Sequence, residues 1–270
     1  MDGASGQVTW SFADDVCELT LGRLPCNEIG TSMLADLERF LDEAEGSDAR
    51  ALVVHSTSEK GFCAGANLLE LLDAIDGRAH AEYRAEAAEF IDRIHAVMDR
   101  FDVLPMTTVA AIHGVCFGGG FELALTCDLW VADRTARFCF PELRLGIIPG
   151  FGGIPRLKRD LPNSVVRDLL LTGRSINAKR AAALGLVSQM VATGEALDTA
   201  RQVARQAALF NPDAACVAKR FIKSVPRAEL DEEKEHFLRL LGQPAAIKAL
   251  RDFAKRTDAM PYQPQAGEGL

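Results

Sequence analysis

The chain has no block of basic residues, no Cys-x-x-Cys pair, few aromatics and no apolar run approaching the roughly 18 residues of a membrane span, and each absence removes a class of function. Thirty Lys and Arg against 38 Asp and Glu leave a net charge of −8, so the electrostatic footprint of a phosphodiester binder is missing and nucleic acid is excluded as a partner. A small anionic ligand stays compatible with this balance. An aromatic share of 7% with two Trp argues against an aromatic-platform binding module. The start, Met1-Asp2-Gly3-Ala4-Ser5-Gly6, lacks the basic and apolar regions of a secretory leader, and a cytoplasmic protein away from the membrane is the expectation. Seven Cys, an odd number scattered through apolar segments, read as buried free thiols in a reducing compartment, ahead of zinc or disulfides.

What is present is an ordinary globular composition: 270 residues, 48% hydrophobic and 25% charged, enough for one large domain or one domain with an appendage. Residues 8–22 alternate around Asp14-Asp15 and predict a β-hairpin. Thr31 or Ser32 can cap a helix whose apolar positions Met33, Leu34, Leu37, Phe40, Leu41 and Ala44 follow the helical period. Ala51–His55 predicts a buried strand, and the strand-then-helix alternation recurs at 109–112 and 129–140, which makes the class α/β. Residues 80–101 predict a polar helix with an apolar stripe at Tyr83, Ala87, Phe90, Ile91, Ile94 and Val97. From about 164 onward strand signals vanish and helical patterns take over, so an α/β body over 1–200 precedes a helical region over 201–270, whose last ten residues are expected to fray.

Two glycine-containing segments stand out. Gly61-Phe62-Cys63-Ala64-Gly65-Ala66-Asn67-Leu68 exits a strand with only small side chains before a helix, and Gly118-Gly119-Gly120 opens another helix. Bare backbone N–H groups at two such helix starts can converge on one carbonyl oxygen that gains charge in a transition state; such donors are worth about 2.7–4 kcal/mol each. No G-x-G-x-x-G follows a strand with a suitably placed acid, and Gly120 is followed by Phe121-Glu122 instead of Lys-Ser/Thr, so dinucleotide and Walker-type phosphate sites are disfavoured. Glu122 and Glu142 each lie on an apolar stretch, where burial raises a carboxyl pKa toward the range useful for general acid–base work. Taken singly, Glu122 equally suits a first-turn residue complementing the helix dipole, and Glu142 a salt bridge to Arg144 or a neighbour.

The ordered set AGAN, AAIHGVCFGGGFELAL, FCFPELRLGIIPGFGG and PRL resembles the enoyl-CoA hydratase/isomerase (crotonase) superfamily, most specifically over residues 109–157. The resemblance implies a spiral of ββα repeats with a C-terminal helical trimerisation region, forming trimers that stack into hexamers. It also implies an oxyanion hole from the backbone N–H groups of Ala66 and Gly119, with Glu122 and Glu142 as the hydratase carboxylates. The implied reaction adds water to the 2,3-double bond of a 2-enoyl-CoA: Glu122 deprotonates the water that attacks C3 and Glu142 protonates C2. The substrate carries coenzyme A or an acyl-carrier protein, and no metal or redox cofactor is needed. Ala64, Asn67 and Leu68 are expected along the CoA channel, and Lys255, in Phe253-Ala254-Lys255-Arg256, near the CoA phosphates.

Several positions depart from the family's commoner pattern: Asn67 for Asp, Leu69 for Lys, Ile154-Pro155 for Thr-Gln, and Trp130 where Arg is frequent. These border the pocket or its support and imply an unusual acyl group, as in members of secondary metabolism or aromatic-acid degradation. His55, His95 and His113 read as structural histidines and Cys63 as a small packing residue. The rival activities are isomerisation, decarboxylation or thioester hydrolysis on the same scaffold, or a non-catalytic CoA-thioester binding subunit; possession of both glutamates weighs against them.

Overall fold

The computed structural model describes residues 3–4, 7–75 and 80–255. The C-terminal ten residues and Arg256 lie outside them. A seven-stranded sheet has the order β1 (Gly3–Ala4), β2 (Val8–Ala13), β3 (Val16–Leu21), β4 (Ala51–Ser56), β6 (Thr107–Ile112), β8 (Leu129–Asp133) and β11 (Gln189–Val191). A four-stranded sheet runs β10 (Ile176–Asn177), β9 (Arg137–Cys139), β7 (Val115–Phe117) and β5 (Gly61–Cys63). Residues 8–22 form the predicted hairpin: Asp14 and Asp15, with φ of 49° and 63°, make the tight turn between antiparallel β2 and β3.

β1 pairs antiparallel with β2, the pairs of the large sheet from β3 onward are parallel, and strands β4 to β9 alternate between the two sheets. β4 and β5 are followed by α2 (Leu68–Ile75), β6 and β7 by α4 (Gly119–Leu125), and β8 and β9 by a short 3-10 helix, Glu142–Leu145. This is the ββα spiral. α1 (Thr31–Glu45) and α3 (His80–Val103) pack together over one face of the large sheet, where Leu52, Val54, Ala110 and Ile112 point. On the other face, Val53, Val109, Ala111 and Val131 meet α8 (Ala196–Ala208) through Ala200, Ala204 and Ala208. Burial on both faces explains why β4 and β6 read as unbroken apolar runs instead of alternating ones.

Two expectations are corrected. The cap of α1 is Gly30, without a side-chain bond; the Thr31 N–H is instead accepted by Glu70 Oε1, 2.9 Å away on α2. Strands do continue past residue 164, because β10 pairs with β9 and β11 with β8. At two and three residues, they are too short to leave an alternation in the sequence. Helices α5 (Gly153–Asp160), α6 (Asn163–Thr172), α7 (Ala178–Ala183), α9 (Pro212–Ile222), α10 (Arg227–Leu241) and α11 (Pro244–Ala254) complete the chain. Among the described residues no helix is long and apolar enough to cross a membrane.

Candidate active site

Three strand exits of the small sheet build one cavity. β5, β7 and β9 are parallel neighbours, so their carboxyl ends lie side by side, where open parallel sheets place ligands. From them emerge Ala64-Gly65-Ala66, Gly118-Gly119 and Pro141-Glu142. Gly118 has φ of +48°, and a Cβ there would sit 2.5 Å from Glu142 Oε1. A Cβ on Gly65 would lie 3.1 Å from the Gly119 nitrogen, and one on Gly119 3.3 Å from the Ala66 nitrogen, so the two amides are neighbours. Among the described residues neither of these N–H groups has a protein acceptor. Two adjacent, unpaired donors at a cavity wall have the form of an oxyanion hole.

Glu122 and Glu142 line the same cavity, of about 40 Å³, with Ala64, Ala66, Leu68, Gly119, Phe151 and Phe237. That space is open to the centre of a water molecule, for which about 10–15 Å³ suffices. Glu122, 2% exposed on α4, uses one oxygen twice: Oε1 accepts the N–H of Phe151 at 2.7 Å and of Gly153 at 2.8 Å. Burial raises its pKa to about 7, the amide bonds and the Arg156 charge opposing the rise. Glu142 Oε2 is buried without a hydrogen-bond partner. Desolvation, then the like charge of Glu122, pushes its pKa well above the ordinary carboxyl range. An orphaned carboxyl oxygen facing a cavity marks where a ligand or water belongs.

The segment Gly150–Ile154 forms a strap over the cavity. While Glu122 takes the N–H groups of Phe151 and Gly153, Glu233 on α10 takes the intervening ones, Gly152 to Oε1 and Ile154 to Oε2, both at 2.7 Å. His95 Nε2 lies 2.9 Å from the Gly150 carbonyl oxygen. Arg156, fully buried, is anchored by Asp99 at 2.6 Å and Asp102 at 2.8 Å.

A second pocket of about 150 Å³ adjoins the first and shares Ala66, Leu71, Phe151 and Phe237 with it. Its walls include Ile29, Ile75, Ala87, Phe90 and Ile91; among its described lining residues Glu70 and Glu86 are acidic and none is basic.

Six of the expected site residues thus meet: Glu122, Glu142, Ala66, Gly119, Ala64 and Leu68 line the cavity. Asn67 borders the second pocket, but its side chain is spent on α2, with Oδ1 accepting the Glu70 N–H at 3.3 Å and Nδ2 donating to Glu70 Oε2 at 3.1 Å. Lys255 follows α11, which packs on α2 and the 3-10 helix; its Nζ lies 3.7 Å from Asp252, and it lines neither pocket. The Arg144 guanidinium donates to the Gly173 carbonyl at 2.9 Å. Cys63 is a buried thiol pushed up to about 12 by desolvation, 3.0 Å from the Asn27 carbonyl. His113 Nε2 lies 2.8 Å from the Ser58 carbonyl oxygen, a loop contact. Trp130 is buried behind α4, donating to the Ala124 carbonyl at 2.7 Å, so this departure supports the site without bordering it. Among the described residues no group of His, Cys, Asp and Glu is arranged to hold a metal ion.

Glu233 escapes a motif-based reading. It had a signal nonetheless: it interrupts the apolar stripe Leu230, Phe237, Leu241 of α10, where a carboxylate is out of place.

The family model for enoyl-CoA hydratase/isomerase matches residues 11–255. Carnitinyl-CoA dehydratase of Salmonella paratyphi A is 31% identical over 252 residues, 90% of this chain and 93% of that protein. Among solved structures, a putative enoyl-CoA hydratase of Streptomyces coelicolor A3(2) superposes with a TM-score of 0.74 at 30% identity, covering 87% of this chain and 86% of its own. Carnitinyl-CoA hydratase of Mycobacterium avium does so with a TM-score of 0.78 at 27% identity, covering 93% and 96%. With the match running over residues 11–255, this chain belongs to the enoyl-CoA hydratase/isomerase family.

Proposed function

We propose that the protein is an enoyl-CoA hydratase, a hydro-lyase interconverting 2-enoyl-CoA and 3-hydroxyacyl-CoA. The observation that carries this reading is the pair of buried carboxyls, Glu122 and Glu142, facing one water-sized cavity beside the unpaired amides of Ala66 and Gly119. The thioester oxygen accepts both amide hydrogens and is stabilised as negative charge builds on it during attack at C3. Glu122, titrating near neutrality and facing the cavity, takes the proton of the attacking water. Glu142, whose proton is retained by burial and by its neighbour's charge, donates to C2. Dehydration runs through the same steps backward.

The second pocket supports the acyl reading. Its apolar walls suit a short or branched acyl chain. Two of the relatives are named for a carnitinyl-CoA thioester, whose acyl chain is short. CoA enters along Ala64 and Leu68 with Lys255 toward its phosphates, and the enzyme works in the cytoplasm without a metal or redox cofactor. Assembly into trimers is supported by a surface rich in exposed apolar side chains, Leu209, Phe210, Phe221 and Ile222, at and before the end of α9.

The test is a panel of neutral, cationic and anionic 2-enoyl-CoA thioesters, followed by loss of the conjugated-enone absorbance. Turnover of any member supports the reading. Turnover of none, together with decarboxylation or hydrolysis of another thioester, refutes it.

A further inference from the structure

We propose that Glu233 is a positioning residue for Glu122: from α10 it clamps the Gly150–Ile154 strap that holds the catalytic carboxyl in place. The inference rests on the hydratase reading. Successive amides of the strap alternate, Phe151 and Gly153 to Glu122, Gly152 and Ile154 to Glu233, so the backbone is gripped from two sides. Three of its five residues are glycine, which gives the strap little stiffness of its own. Without Glu233 the Gly152 and Ile154 N–H groups would be buried orphans, the strap would shift to satisfy them, and the Glu122 oxygen bound to the alternate amides would move with it.

A role confined to capping α5 does not account for the choice of group. Glu233 is 5% exposed on the apolar stripe of α10, where a neutral Asn or Ser would accept an amide at a lower desolvation cost. It also lacks a cation of its own among the described residues. The charges facing it are Glu122 from α4, Glu142 from the 3-10 helix and Arg156 from α5, and Arg156 is itself anchored by Asp99 and Asp102 of α3. On α10 itself, Glu229 pairs with Lys158 and Lys234 with Asp92, and α11 buries only Ala246 and Leu250. Arg156 is already engaged by both aspartates, and burial holds His95 toward its neutral form. The Glu122 charge, across one peptide segment, raises the proton affinity of Glu233. The clamp acts on Glu122 through the strap: it holds the Phe151 and Gly153 amides where they bind the Glu122 carboxyl and oppose the rise of its pKa.

The experiment compares wild type with Glu233→Gln. In protein carrying ¹³C-labelled glutamate carboxyls, the Glu122 titration midpoint rises by about half to one pH unit in the variant, as the strap amides that hold it down are loosened. With a turned-over enoyl thioester, the acidic limb of kcat/KM moves up by the same amount. Turnover falls about tenfold while KM stays within about twofold, because Ala66 and Gly119 belong to other strand exits. A merely structural cap would lower Tm and leave the limb and midpoint where they were; that result in a folded variant overturns the proposal. Should Glu233→Gln fail to fold, Glu233→Asp, which keeps a carboxylate but falls short of the Gly152 and Ile154 amides, must raise the Glu122 midpoint likewise, and an unmoved midpoint refutes the proposal. The titration needs no substrate. A wild type that hydrates no enoyl thioester would sink the hydratase reading and leave the Glu233 result standing.

Discussion

Replacing Glu122 with Gln should make the protein slower and more stable at once. The amide oxygen of Gln can accept the Phe151 and Gly153 N–H groups that Oε1 accepts now, so the strap is kept. The base is lost, and turnover of a 2-enoyl thioester should fall by roughly 10²–10⁴-fold. Stability moves the other way because the folded protein holds the Glu122 pKa at about 7 against an ordinary 4.5. A carboxyl whose pKa is raised by folding favours the native state fully below its unfolded pKa, and that contribution disappears as pH rises through the folded value. At about 1.4 kcal/mol per pH unit the rise amounts to roughly 3 kcal/mol, lost between about pH 4.5 and 7. Gln, which never ionises, escapes the loss. Relative to wild type, the variant should therefore gain little at pH 4.5 and roughly 3 kcal/mol, or about 6–12 °C in Tm, at pH 7.5. Denaturant unfolding of both proteins at the two pH values, beside kcat, is the assay. A stability difference indifferent to pH would refute the electrostatic account, and undiminished hydration would refute the assigned role.

Glu142→Gln should lower hydration by a comparable factor of about 10²–10⁴ and abolish solvent deuterium uptake at C2, read by mass spectrometry; continued uptake would place the acid elsewhere. Gly119→Pro removes one donor facing Ala66, and turnover of every thioester should drop by about 10²–10³-fold; normal kcat would show that the oxygen is held by other groups. Phe221 is 86% exposed, and Phe221→Asp should shift a trimer toward smaller species in sedimentation velocity. An unchanged sedimentation coefficient would exclude this face from the interface.

Much of this site is readable in order along the chain because its parts are local backbone features. Small residues at the exits of β5 and β7 leave amides bare, and a glutamate just inside a glycine-led helix must be buried among that helix's neighbours. The hairpin at Asp14-Asp15 and the apolar runs of β4 and β6 are equally local. The capping of α1 is not: its donor is satisfied by Glu70, 39 residues away, which no local rule anticipates. The same holds for β10 and β11, which exist because β9 and β8 offer edges to short segments arriving from far along the chain.

The amino-acid order alone determined the α/β alternation and the motifs that resemble the enoyl-CoA hydratase/isomerase family, through which two amides and two carboxyls were expected at the site, since these depend on residue type and short spacing. Tertiary structure decided that the carboxyls share one cavity, that their protons are held by burial and mutual repulsion, and that Glu233, Arg156 and His95 converge on one strap. Proton affinity and hydrogen-bond pairing in a buried site depend on which distant groups share the space, and that is set only when the helices close over the sheet.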